Sequence, residues 1–198
     1  MTPAGPQVMD GVPPQPARLA AAVVVLRPFR AEDVVMAMEL SQDPYVPLTG
    51  SLPAHADEEQ ALQWVQRQRG RLAEGVGYSF AIADPNTDEA RGQIGLWVRD
   101  LEEGRLSAGY SLVASARGRG LAGAALRLVT SFAWTIPAAH RIELHIEPWN
   151  KGSIRTAEHA GYQREGLLRS HQSIGGQRRD MLLYATIRND TSHRGRCE

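Results

Sequence analysis

Apolar and polar residues follow strand-like patterns in seven short segments of the chain. Residues 23–27 are rich in β-branched side chains and stop at Pro28, which predicts a buried first strand. Residues 141–147 alternate apolar with polar side chains, as expected of a strand with one covered face. The seven predicted strands are residues 23–27, 78–83, 92–98, 105–113, 141–147, 162–174 and 178–187.

Four other segments carry apolar residues at helical spacing. In residues 122–134, for example, Leu126, Val129 and Phe132 share one face of a helix. The predicted order of elements is β-α-α-β-β-β-α-β-α-β-β, with a three-stranded meander and a final hairpin that turns at Gly175 and Gly176. The four predicted helices are residues 31–40, 57–72, 122–134 and 153–160.

The two ends of the chain lack these patterns. Residues 1–21 contain five prolines, two glycines and little apolar periodicity, so we expect a disordered leader. Residues 189–198 are polar and aperiodic, which predicts a flexible tail. The intervening residues 22–188 are numerous enough to bury one hydrophobic core, so we expect a single catalytic domain.

Charge and hydropathy exclude several classes of partner. The chain has 22 basic and 22 acidic residues and no basic stripe with interleaved aromatic residues, so we expect no nucleic-acid partner. The longest apolar stretch, residues 19–26, is far shorter than a bilayer span, and the first residues lack the positive charge of a secretory signal. We therefore expect a cytoplasmic protein with no membrane partner, which acts as a monomer or a homodimer.

The cysteine and histidine residues argue against metal and redox chemistry. Cys197 is the only cysteine, which excludes an internal disulfide and a thiolate-rich metal site. Four of the six histidines show no metal-ligand spacing, and we expect no metal. These are His55, His140, His159 and His193.

Residues 109–122, a strand that leads through a glycine-rich turn into an amphipathic helix, carry the clearest chemical signal. Gly118 and Gly120 allow the backbone to approach an anion closely, and the free N–H groups of the following helix start can bind a diphosphate. The structural alternative is that these glycines only end a strand and open a helix. No Gly-Lys-Ser/Thr follows, which excludes a Walker loop, and no ribose-binding acid closes a βαβ unit after Gly123, which argues against a dinucleotide fingerprint.

The turn resembles the signature of a known enzyme family. Arg117-x-x-Gly120-x-Ala122 is similar to the Gln/Arg-x-x-Gly-x-Gly/Ala motif of the GNAT superfamily of N-acetyltransferases. Further landmarks resemble its Rim-type branch, the RimJ/RimL-like acetyltransferases of ribosomal-protein N-termini, in the expected order over residues 23–188. The downstream landmarks are Asn150-Lys151-Gly152-Ser153, Ala160-Gly161-Tyr162, Glu165-Gly166, and Gly176 with Asp180.

The resemblance implies an α+β GNAT fold, in which about four helices flank a mixed, mostly antiparallel seven-stranded sheet. It also implies that acetyl-CoA is the co-substrate, with its diphosphate in the turn and its pantetheine arm against the main chain at Leu112 and Val113. Backbone N–H groups there would stabilise the oxyanion. The implied cofactor-binding residues are Leu112, Val113, Arg117, Gly118, Arg119, Gly120, Leu121, Ala122, Gly123, Asn150 and Ser153.

Catalytic roles follow from the same resemblance. It places the Ser153 hydroxyl near the thioester sulfur, where it can protonate the leaving thiolate. The structural alternative is that Asn150 or Ser153 only caps a helix. The family's glutamate is replaced by Gln172, which cannot accept a proton. The candidate bases are His145, Glu143 and Glu147, which project from the strand that borders the coenzyme cleft; the alternative is that they are solvated strand residues.

The sequence therefore predicts an enzyme that passes an acetyl group to a primary amine by direct attack in a ternary complex. The acceptor is a protein or peptide N-terminal amine or a small-molecule amine, and an antibiotic or metabolite is an alternative within this class. A different class, a non-catalytic CoA-binding sensor, is consistent with Gln172. Four aromatic side chains are available to line an acceptor pocket: Tyr45, Trp64, Trp97 and Trp149.

Overall fold

A computed structural model describes residues 12–188. Within these residues, eight strands form one sheet in the order β1-β2-β3-β4-β5-β6-β8-β7, in which only β5 and β6 pair in parallel. The strands are β1 Leu19–Ala21, β2 Val24–Arg27, β3 Gly77–Ala83, β4 Ala90–Trp97, β5 Arg105–Leu112, β6 Arg141–Ile146, β7 Gln163–Ile174 and β8 Gln177–Ile187. The α-helices are α1 Val34–Ser41, α2 Glu58–Gly70, α3 Leu121–Ala133 and α4 Lys151–His159. This architecture confirms the predicted α+β class and its four helices.

The sheet has one strand more than the seven predicted, and the extra strand lies inside the predicted leader. Leu19–Ala21 pairs with β2 in antiparallel register, so the prediction of disorder is wrong for this segment. Further contacts hold the residues before it, because the Tyr78 hydroxyl donates to the Pro13 carbonyl at 2.5 Å and Gln15 donates to the Ser79 carbonyl at 2.8 Å. Residues 1–11 of the predicted leader and the predicted tail, residues 189–198, lie outside the described residues.

Helices cover both faces of the sheet, and successive residues of each strand point to opposite faces. Even-numbered residues of β3, β4 and β5 form one core with α3 and α4, for example Phe80, Ile94 and Leu106 against Leu126. The opposite face packs against α1 and α2 through a second, smaller core around Trp64. The two helix pairs therefore lie on opposite sides of the sheet.

A buried ion pair fixes the chain where β2 leads into the first helices. The Arg27 guanidinium donates to both carboxylate oxygens of Asp33, at 2.8 and 2.9 Å, and both side chains are buried. Asp88 makes a further ion pair with Arg27. Hydrogen-bonded partners of this kind compensate the desolvation of buried charges, so the pair holds α1 and β2 in a fixed relation.

The parallel pair in the centre of the sheet is short. Residues Arg105, Leu106 and Ser107 of β5 pair with β6, and the remainder of β5 does not. On its other edge β5 stays paired with β4 as far as Leu112. A gap consequently opens between β5 and β6, and one side of β5 presents its backbone groups to that gap.

Candidate active site

The backbone of Leu112 points into the gap between β5 and β6. The Val113 N–H donates to the Arg91 carbonyl on β4 at 3.0 Å, and neighbouring residues in a strand present their N–H groups to opposite sides. The Leu112 N–H therefore faces the gap. The prediction that the Val113 N–H donates to the oxyanion is wrong, because this N–H is already hydrogen-bonded to Arg91 on β4.

Arg117 holds the end of β5 in place. Its Nε and Nη2 atoms donate to the Leu112 carbonyl at 3.0 and 2.9 Å, and Nη2 also contacts the Asp43 carboxylate at 2.6 Å. Burial acts to raise the pKa of Asp43, but the hydrogen bond from Arg117 and those from the Val46 and Tyr45 N–H groups outweigh it and hold the pKa below its ordinary value. Arg117, which the resemblance implies as a cofactor-binding residue, thus positions the end of β5 beside the turn.

The glycine turn has the backbone that a diphosphate site requires. Gly118 and Gly120 have φ angles of 73° and 77°, and a Cβ atom added at either residue would meet no atom within 4 Å. Gly120 is the N-cap of α3 and supplies no side-chain cap, so the first N–H groups of that helix remain available. The open space over both glycines and these donors fit the diphosphate of coenzyme A, with Arg119 exposed nearby.

At the start of α4, the helix is capped by Asn150 and not by the Ser153 hydroxyl. Asn150 is the N-cap, and its Oδ1 atom accepts from the Ser153 N–H at 3.0 Å. The structure thus confirms that one of the two residues caps the helix, and assigns that role to Asn150. The Ser153 side chain belongs to the lining of the adjacent cleft.

Tyr110 is a residue of this site that the sequence analysis missed. It projects from β5 beside α4, and its hydroxyl lies 3.4 Å from the Ser153 carbonyl. Burial raises the pKa of the Tyr110 phenol, and hydrogen bonds with Ser153 and Thr156 oppose the rise. The phenol is therefore neutral at pH 7 and can donate a proton. Its position in the alternating strand before the turn is the signal that could have identified it.

A cleft of about 350 Å³ extends from the gap to the face of the sheet covered by α1 and α2. Its floor comes from β4, β5 and β6, and its walls come from residues 45–52, from α2 and from the final hairpin. Three of the predicted aromatic residues line it: Tyr45, Trp64 and Trp97. The fourth, Trp149, is 58% exposed and packs edge-on against the Tyr45 ring.

His145 lines the cleft, and the His171 ring stacks on it with 4.8 Å between the ring centroids. Strict alternation along β7 would turn His171 to the other side of the strand from Gln172, but a bulge between Leu168 and Gln172 interrupts that alternation. Burial, and then the neighbouring His171, lower the pKa of His145 below its ordinary value. The imidazole is therefore neutral at pH 7.

Glu147 is 4% exposed, so the alternative of a solvated strand residue is wrong for this side chain. Its Oε1 atom lies 3.7 Å from Arg179 Nε. Burial, and then a hydrogen bond to Glu147, raise the pKa of Tyr45, which keeps that phenol protonated. The Glu147 side chain thus lies in the cleft between the Arg179 guanidinium and the Tyr45 hydroxyl. Gln172 lines the same cleft.

Residues 12–188 lack two further features. No helix in this part of the chain is long and apolar enough to cross a bilayer. No group of three His, Cys, Asp or Glu side chains within the same residues is arranged to hold a metal ion.

The fold and the glycine turn agree with the sequence family that this chain matches. Residues 24–163 match the family described as Acetyltransferase (GNAT) domain, and the chain belongs to this family. It is an acetyl-CoA-dependent acetyltransferase, and the expected GNAT fold is confirmed.

Individual relatives place the chain near the RimJ/RimL-like enzymes. It is 29% identical to the uncharacterized N-acetyltransferase p20 of Bacillus licheniformis over 167 residues, or 84% of this chain and 94% of that protein. Mycobacterium smegmatis RimJ in complex with CoA-disulfide is 29% identical with a TM-score of 0.70, over 87% of this chain and 86% of RimJ. The microcin C7 self-immunity acetyltransferase MccE, in complex with acetyl-CoA and AMP, has a TM-score of 0.72 at 14% identity, over 84% and 93% of the two chains.

Proposed function

We propose that this enzyme transfers the acetyl group of acetyl-CoA to a primary amine by direct attack within a ternary complex. The main support is that the gap between β5 and β6 continues into a cleft lined by His145, Glu147 and Ser153. Acetyl-CoA supplies an activated thioester when its pantetheine arm lies in that gap. The only cysteine, Cys197, lies far along the chain from these residues, which favours direct transfer over an acyl-enzyme.

His145 is the proposed proton acceptor. An amine arrives mostly as an ammonium ion at neutral pH, and a neutral imidazole in the cleft can remove its proton. Glu147 lies in the cleft beside Tyr45 and Arg179, where its carboxyl oxygens are placed to bind the ammonium group. Gln172 cannot take over the family's carboxylate role, so the base comes from β6.

Ser153 and the Leu112 N–H complete the proposed machinery. The Leu112 N–H faces the gap and is suited to donate to the oxyanion that forms on attack. The Ser153 hydroxyl, with the neutral Tyr110 phenol next to it, can donate a proton to the leaving thiolate. Asn150 keeps the first turn of α4 in position and so fixes Ser153.

The acceptor is a protein N-terminal amine or a small-molecule amine, such as an antibiotic or another metabolite. The cleft volume of about 350 Å³ is suited to a small amine or to the first residues of a peptide. A panel of both kinds of amine, assayed by release of free thiol, tests the proposed function. If no amine in the panel accelerates thiol release, a non-catalytic CoA-binding protein becomes the better account.

The pH dependence of kcat tests the role of His145. Activity should fall as the pH drops through the pKa of His145, with a midpoint below the ordinary value of about 6.5. His171→Gln removes one cause of the lowered pKa, so the acid limb should move to higher pH. The measurement is kcat against pH at saturating amine and acetyl-CoA. An unchanged acid limb in the His171→Gln enzyme would argue against His145 as the base.

A further inference from the structure

Arg71 places a guanidinium group in the acceptor cleft. It follows the last residue of α2 and is half-buried, and its side chain lines the cleft. Its Cζ atom lies 5.3 Å from the centroid of the Trp97 ring. Its Nη1 atom would lie 3.2 Å from a Cβ atom added to Gly95 on β4. The side chain therefore lies along the sheet instead of extending into solvent from the helix end.

The sheet beneath this guanidinium is shaped to receive it. Gly95 and Gly109 face each other across β4 and β5. A Cβ atom added to either glycine would lie 3.1 Å from the Trp97 ring, so the glycine pair makes room for the indole. Arg71 packs over that ring, which restricts the side chain while the N–H donors at the edge of the guanidinium stay available.

The positive charge of Arg71 is not paired with a carboxylate at contact distance in residues 12–188. Within residues 12–188, no carboxylate forms an ion pair with Arg71, and no group makes a side-chain hydrogen bond to it. Burial, and then the nearby Arg99, lower its pKa, and Glu74 offsets this only in part. Glu147, the buried carboxylate of the cleft, is already next to Arg179. A half-buried cation of this kind is suited to a ligand that brings the anion.

We propose that Arg71 binds an anionic group, a carboxylate or a phosphate, carried by the acceptor amine. The proposal rests on the proposed function and narrows its substrate class. Gly109, under the Trp97 ring, precedes Leu112 by three residues, so the anion site and the oxyanion donor are roughly 10 Å apart along β5. Free α-amino acids are too short to reach both sites, because one carbon carries the amine and the carboxylate.

Binding of matched amines tests this proposal. The probes are 6-aminohexanoate, 6-aminohexyl phosphate and the neutral hexylamine, titrated calorimetrically into the protein with and without coenzyme A. The parent should bind the two anionic probes about ten- to a hundredfold more tightly than hexylamine. The comparison between carboxylate and phosphate identifies which anion the site prefers.

Variants assign the preference to one residue. Arg71→Gln should abolish the preference for anionic probes, Arg71→Lys should retain part of it, and Arg69→Gln, an exposed neighbour in the same helix turn, should retain all of it. The Lys variant serves as the test if the Gln variant fails to fold. The proposal is overturned if the parent shows no preference, or if loss of the Arg71 charge leaves the preference intact. Acetylation of hexylamine and 6-aminohexanoate at equal rates would contradict the role of Arg71 and leave the proposed function intact. A clear preference for binding the anionic probes without any thiol release would contradict the proposed function and leave the role of Arg71 intact.

Discussion

Gly120→Asp should weaken the binding of coenzyme A by about a hundredfold. A carboxylate at the N-cap of α3 would occupy the helix N–H donors and would repel a diphosphate, and repulsion of about 2–3 kcal/mol corresponds to this change. The fold should tolerate the substitution. Aspartate accepts the positive φ of this residue better than most residues do, so the unfolding free energy should fall by only about 1 kcal/mol.

Gly120→Asn is the matched control, because it has the same shape and the same backbone tolerance without the charge. It should lose less affinity than the Asp variant, and both should melt near the parent. Calorimetric titration with coenzyme A, together with thermal unfolding of the free proteins, gives both quantities. If the Asp variant binds coenzyme A as the parent does, the diphosphate does not lie at this turn.

Ser153→Ala should lower kcat by about tenfold to a few hundredfold, or roughly 1.4–3.5 kcal/mol of activation free energy. The thiolate is only a moderately strong base, so proton donation to it has a limited effect. The melting temperature should stay near that of the parent, because Asn150 caps α4 and the Ser153 hydroxyl does not. The measurement is kcat at saturating acetyl-CoA and amine.

Variants at two neighbouring residues, Asn150 and Tyr110, distinguish the chemical role of Ser153 from a structural one. Asn150→Ala should destabilise the fold by about 1 kcal/mol through loss of the cap, which Asn150→Asp should preserve. Tyr110→Phe tests the neighbouring phenol. Parental kcat in Ser153→Ala would remove Ser153 from the mechanism, and a slow Tyr110→Phe enzyme would then identify Tyr110 as the proton donor.

Local patterns were sufficient to predict most of the elements and the turn. The apolar spacing of α3 and the glycines at 118 and 120 are contained within a few consecutive residues, so the strand, turn and helix could be predicted together. Leu19–Ala21 was missed because the prolines before it indicate disorder, whereas its strand structure depends on pairing with Val24–Arg27.

Contacts between distant segments explain the remaining differences. The Val113 N–H is engaged by Arg91, and strand propensity does not show which neighbour a backbone group meets. The bulge that brings His171 onto His145 breaks an alternation that the sequence pattern assumes. In the sequence, Arg71 resembles a solvated charge at a helix end. Its packing over Trp97 depends on the room that Gly95 on β4 and Gly109 on β5 leave for the indole.

Release of coenzyme A that depends on an amine is the most direct test of the proposed reaction. The parent enzyme is incubated with acetyl-CoA alone and with an acceptor from the amine panel, and free thiol, acetylated amine and intact protein mass are measured together. We expect negligible thiol release without amine, equal amounts of thiol and acetylated amine with it, and no acetylated protein at any time. Stoichiometric acetylation of the protein before amine is added, or coenzyme A binding with no turnover on any amine, would contradict direct transfer in the cleft between β5 and β6.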